Sequence, residues 1–156
     1  MAFGSLSLKA RALKALASRE HSRVELTRKL APHAESPEAL EALLDTLEAQ
    51  GLLSPQRFVE SVVRRRGARL GNARIRQELK QHQLDDELVS AAMAELRGTE
   101  LARALEVWRR RFGTPAEDAT QRARQGRFLL QRGFSGEVVA RVLRQPLGDE
   151  PPDPSA

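Results

Sequence analysis

Cysteine and tyrosine are absent from this 156-residue chain, and tryptophan occurs once. Without thiols there can be no disulfide and no thiolate-held metal, and nothing ties the chain to an oxidising compartment. Aromatic residues are 4% of the sequence, so Leu, Val and Ala must fill the core. With 30% charged side chains, that composition favours helices with polar outer faces over strands. No run approaches the roughly 18 uninterrupted apolar residues that span a bilayer, and Met1 to Ser7 lacks a charged stretch leading into an apolar one. The expectation is a soluble cytoplasmic protein that engages no membrane.

Catalytic signatures are equally scarce. There is no Gly-x-Ser-x-Gly elbow and no glycine-rich phosphate loop. His21, His33 and His82 share no i, i+4 spacing and have no carboxylates at ligand-like separation, so they read as solvated side chains. The sequence therefore predicts no catalytic residue, no metal and no cofactor.

What the chain does have is a pattern repeated three times at a period of 49 to 50 residues. That step carries Leu13 to Val62 to Phe112, Leu30 to Leu79 to Leu129, Leu40 to Val89 to Val139, and Leu44 to Met93 to Leu143. Units of this size are near the lower limit for an independent core, so each leans on its neighbours and the array presents a long surface suited to a long partner.

Caps and apolar stripes divide each repeat into three helices. In the first, Leu6, Leu8, Leu13 and Leu16 mark one helix, Ser22 to Glu25 forms a capping box before Leu26 and Leu30, and Ser36-Pro37 opens a third helix that ends at Gly51. In the second, Ser54-Pro55 opens a helix over 55–67, Ile75 and Leu79 mark the next, and Leu84-Asp85 opens one that ends at Gly98. In the third, Leu101, Leu105, Trp108 and Phe112 share a stripe that places Trp108 in the core, Thr114 and Glu117 form a capping box, and Phe134-Ser135 opens the final helix. Gln125 stands where the earlier repeats have Leu26 and Ile75. The fold predicted is all-α, with about nine helices in three tandem three-helix repeats: an extension at 1–7, repeats at 8–54, 55–98 and 99–145, and a disordered acidic Pro-rich tail at 146–156.

The net charge of +5 is unevenly spread: the repeats carry 0, +3 and +5, and the tail −3. Such a gradient turns one end of the array toward a polyanion or an acidic protein groove. Candidate contacts are Arg64, Arg65, Arg69, Arg74, Arg76 and Lys80 in the second repeat and Arg110, Arg124, Arg127 and Arg132 in the third. Guanidinium groups grip phosphates and carboxylates through paired N–H donors. Consecutive arginines point 100° apart on a helix, so only part of Arg64–Arg66 or of Arg109–Arg111 can line one surface.

Four segments resemble the RecX family of bacterial regulators of the RecA recombinase: Ala15 to Leu26 with Lys29-Leu30, Leu47 to Ser54 with Arg57-Phe58, Gly71 to Leu79, and Phe128 to Ser135. The likeness covers about residues 8–145 and rests on order and spacing more than on any one motif. It implies a curved array of three-helix repeats lying in the groove of a RecA filament on DNA, free as a monomer, damping ATPase, strand-exchange and coprotease activities, and touching single- or double-stranded DNA directly as well. The residues themselves reach only an elongated, basic, non-enzymatic binder. A helical DNA-binding protein acting without RecA, or a helical-repeat scaffold, fits them too.

Overall fold

The structure is a computed structural model describing residues 6–144. The expected tail and residues 1–5 of the expected N-terminal extension lie outside the described residues. Among those described there are eight α-helices and no strand: α1 (Leu8–Ser18), α2 (Arg23–Leu30), α3 (Pro37–Ala49), α4 (Pro55–Gly67), α5 (Asn72–Lys80), α6 (Asp86–Arg111), α7 (Ala119–Gln131) and α8 (Gly136–Arg144).

The start signals read from the sequence act as local chemistry requires. Ser22 Oγ accepts from the Glu25 N–H at 3.1 Å while the Glu25 carboxylate accepts from the Ser22 N–H at 3.1 Å, so each satisfies a backbone donor that the first turn of α2 leaves unpaired. Ser36 caps α3 ahead of Pro37, Ser54 caps α4 ahead of Pro55, and Ser135 caps α8. Pro32 ends α2 in a 3-10 turn over Ala31–His33.

Two boundaries differ from the sequence reading. Gly98 does not end a helix: α6 runs through it for 26 residues, merging the two helices expected on either side. Buried Met93, Leu96, Glu100, Ala104, Val107 and Trp108 form one unbroken stripe at steps of three and four, and burying that stripe outweighs the roughly 1 kcal/mol that a mid-helix glycine costs. Thr114 and Glu117 form no capping box either. The cap of α7 is Asp118, whose Oδ1 accepts from the Gln121 N–H at 2.8 Å.

The Cα framework divides into two compact units. One takes in the residues to Ser61 together with Leu79–Val89; the other takes in Val62–Glu78 and the chain from Ser90 on. In the first unit Ala12, Ala15, Leu26, Leu30, Leu40, Leu44, Leu47 and Leu53 make the core. In the second the core is Ala104, Val107, Trp108, Leu129, Phe134, Val139 and Val142, with Phe112 and Phe128 packed against it.

Two histidines in the first unit are not the solvated side chains the sequence suggested. His21 is buried, with Nδ1 3.0 Å from the Arg19 carbonyl. His82 Nδ1 lies 2.7 Å from Ser22 Oγ, and its ring meets Phe58 at 4.6 Å between centroids. Only His33 is exposed. Burial pushes the His21 imidazole below its ordinary pKa; Arg19 and Lys29 push the same way, and the Arg19 carbonyl and Glu25 oppose them.

The unfolded chain therefore takes up a proton that the folded chain resists, and this part of the stability is complete above a pH of about 6.5 and lost as the pH falls below it. Thermal melts should show Tm declining from about pH 7 toward pH 5.5, with a shallower decline in His21→Gln. An equal decline in the two proteins would remove His21 as the cause.

Candidate functional site

The second unit is organised around a backbone crossing. The Gly71 N–H donates to the Arg132 carbonyl at 2.7 Å, and the Ala73 N–H donates to the Gly133 carbonyl at 3.1 Å. These bonds tie the entry to α5 against the turn between α7 and α8. A Cβ on Gly71 would overlap the backbone of Gly133 and Phe134, so only glycine permits the approach. Gly133 holds φ at +93°, and a Cβ there would strike Arg74. The crossing thus sets Arg74 and Arg132, from the second and third repeats, beside one another.

Buried polar groups hold this frame in place. Arg103, half-buried on α6, donates to the carbonyls of Leu70 at 2.8 Å and Gly67 at 3.3 Å and to Asn72 Oδ1, clamping the loop that precedes Gly71 and α5. Burial pushes its guanidinium below the ordinary arginine value, against the pull of Glu100. Glu100, itself buried, accepts from the Ser135 N–H at 2.8 Å, anchoring the start of α8. Trp108 lies in the core as its stripe implied, and its Nε1–H donates to Gln125 Oε1 at 2.9 Å. The Gln125 Nε2 in turn donates to the Thr114 carbonyl at 3.1 Å. Gln125, where the other repeats have the apolar Leu26 and Ile75, thus satisfies the donor that the repeat's one tryptophan brings into the core.

Beside the crossing lies a shallow cavity of about 260 Å³. Arg69, Arg110, Arg111 and Arg132 supply its charge, and Val107 and Phe128 its apolar wall. The Arg132 guanidinium carbon sits 4.9 Å from the Phe128 ring centre and that of Arg111 5.4 Å, while Phe112 meets Phe128 edge-on at 5.4 Å. Stacking on a ring holds a guanidinium without consuming its N–H donors, which stay available to an acceptor. Arg110 pairs with Glu106 at 3.2 Å on an exposed face. Arg69, Arg111 and Arg132 have no carboxylate partner among the described residues.

Of the residues singled out from the sequence, Arg69, Arg110 and Arg132 come together here, and Arg74 stands next to them at Gly133. Arg124 and Arg127 are exposed on α7, Arg64 and Arg65 on α4, and Arg76 on α5, outside the cavity. Lys80 is exposed in the first unit. Arg132 is half-buried rather than free.

Sequence reasoning named Arg111 within the Arg109–Arg111 run and Phe128 within a family-like segment but chose neither as a contact. Arg111 continues the Ala104–Val107 stripe at the i+4 position, a spacing that sets it at the edge of the buried face.

The charge gradient also has a structural basis. In the first unit Arg19 pairs with Glu25 at 2.6 Å, Arg23 with Asp45 at 2.7 Å and Arg57 with Glu20 at 2.8 Å. Within residues 99–144 the Arg110–Glu106 contact is the sole ion pair between described residues.

Sequence comparison gives matches to the second three-helix domain of RecX over residues 56–93 and to the third over residues 99–143. The chain is 60% identical over 139 residues to the regulatory protein RecX of Leptothrix cholodnii, covering 89% of this chain and 88% of the relative. It is 57% identical over 139 residues to that of Ralstonia nicotianae, covering 89% and 87%. In fold it matches the crystal structure of RecX from Lactobacillus salivarius with a TM-score of 0.72 at 18% identity, covering 87% of this chain and 92% of the other. A second crystal structure, of a regulatory protein RecX, matches with a TM-score of 0.72 at 21% identity over 88% of this chain and 72% of the other.

Proposed function

The chain belongs to the RecX family, and from that premise we propose that it is a cytoplasmic regulator without catalytic activity of its own. In this reading it binds RecA filaments on DNA along the filament groove, as a monomer when free, and damps their ATPase, strand-exchange and coprotease activities. The observation that carries the reading is the group of arginines in the second unit that form no ion pair among the described residues, Arg64, Arg65, Arg69, Arg74, Arg76, Arg111, Arg124, Arg127 and Arg132 among them. Unpaired guanidiniums on a rigid helical frame suit a partner that offers regularly spaced anions, and a filament on DNA offers both phosphates and carboxylates. RecA itself comes from the family. The division into repeats at 8–54, 55–98 and 99–145 belongs to the same reading, because an array with one period fits a partner built on a helical repeat.

Mixing the purified protein with RecA filaments on single-stranded DNA tests this. ATP hydrolysis should slow as the protein is added, the protein should cosediment with the filament, and the protein alone should hydrolyse nothing. An unchanged rate at saturation with no cosedimentation overturns the proposal. Binding to naked DNA that equals filament binding in strength and in salt dependence favours a DNA-binding protein acting without RecA.

A further inference from the structure

We propose that the cavity beside the glycine crossing is a phosphodiester site: Arg69, Arg111 and Arg132 hold one backbone phosphate of DNA, and Val107 and Phe128 pack against the neighbouring deoxyribose. The site takes a backbone phosphate of naked duplex as it does one of the filament's DNA, and only its part in the filament rests on the function proposed above.

Three features favour a nucleic-acid backbone over a protein carboxylate. Several guanidiniums converge on about 260 Å³ with one carboxylate, Glu106, nearby on Arg110. A lone aspartate or glutamate would bring a single negative charge, whereas a backbone phosphate, equal to it in charge and in acceptor oxygens, stands in a polyanion whose neighbouring phosphates add to the field that several guanidiniums meet. The wall is apolar, which suits the alternation of anion and sugar along a nucleic-acid strand. The guanidinium carbons of Arg111 and Arg132 sit over the Phe128 ring at 5.4 and 4.9 Å, which places both cations beside the cavity before any ligand arrives. The hydrogen bonds from Gly71 and Ala73 to the turn at Arg132 and Gly133 fix the backbone on which Arg132 stands.

The test uses the full chain and a fluorescently labelled DNA duplex, with affinity read by anisotropy across a salt series. Arg69→Ala with Arg111→Ala removes two exposed donors without disturbing the crossing. Affinity should fall about tenfold, the scale of a lost charge-assisted contact, and the slope of log affinity against log salt should become shallower by about 0.9, the amount one duplex phosphate contributes. Arg132→Lys keeps the charge but loses the planar fork and the ring stacking; it should weaken binding at low salt by a smaller factor with little change in slope. Tm of each variant is measured alongside. Duplex affinity and slope within twofold of the unaltered protein, in folded variants, overturn the phosphate assignment.

Filament cosedimentation separates the two proposals. Variants that lose filament binding but keep duplex affinity place a protein carboxylate in the cavity, which overturns this inference and leaves the proposed function standing. An unaltered protein that binds duplex through this site yet leaves RecA filaments untouched overturns the proposed function and leaves the phosphate site standing.

Discussion

Gly71→Ala should disrupt the second unit, while the same kind of change at Gly98 should stabilise the protein. At Gly71 the added methyl would fall on the backbone of Gly133 and Phe134, which no rotamer change can move aside. The entry to α5 and the turn before α8 must then separate, and the bonds from Gly71 to Arg132 and from Ala73 to Gly133 are lost with them. Overpacking against backbone, together with the broken bonds, places the loss on the order of 3 to 5 kcal/mol. Each kcal/mol lowers Tm by roughly 4 to 8 °C for a unit of this size.

At Gly98 a Cβ meets nothing within 4 Å, and the residue lies inside α6. Gly98→Ala should therefore add about 0.5 to 1 kcal/mol through helix propensity alone. Urea or thermal melts of the two variants give the comparison. Equal stability in both would mean that the crossing is not held as tightly as the structure has it.

Reversing charge on α7 should have the largest effect on binding. Arg124→Glu with Arg127→Glu changes two exposed side chains that pair with no carboxylate among the described residues. Each substitution removes an attraction and adds a repulsion, so filament affinity should fall by at least about tenfold, or 1.4 kcal/mol, with a steep dependence on salt. The matched control is Lys9→Glu with Lys14→Glu, two exposed positions on α1 in the repeat whose net charge is 0. There the loss should stay within about twofold.

Arg132 and Arg11 are less suitable for this comparison because both are half-buried, and reversing them would mix binding with stability. At the exposed positions Tm should change little, by about 0.5 kcal/mol of stability or less. Greater damage from the α1 pair, with both proteins folded, would put the contact surface in the first repeat.

Sequence alone determined most of the local architecture, because it depends on neighbours a few residues apart. A serine three residues before a free N–H, a proline at the first helical position and apolar residues at steps of three and four each act within a turn or two, and α2, α3, α4 and α8 begin at the caps these signals mark. The period of 49 to 50 residues likewise announced the three-repeat plan, and the count of arginines announced the excess of positive charge in the second and third repeats. Competition between signals was harder to read. Gly98 reads as a stop until the stripe from Met93 to Trp108 is seen to be buried along its whole length, and Thr114 reads as a cap until α7 is seen to start at Ala119 with Asp118 as its cap.

Only the tertiary structure decided what distant residues do to one another. Nothing near Gly71 in sequence says that another glycine lies against it 62 positions later, yet that contact brings Arg74 to the turn that carries Arg132. The same holds for His21, which is buried, for His82, which is half-buried against Ser22 and Phe58, and for Arg103, one arginine among 22 that serves as a clamp rather than a contact. Residue type sets what a side chain can bond to. Burial and partners, which arise only when helices pack, decide whether an arginine is spent inside the fold or left free to meet an anion.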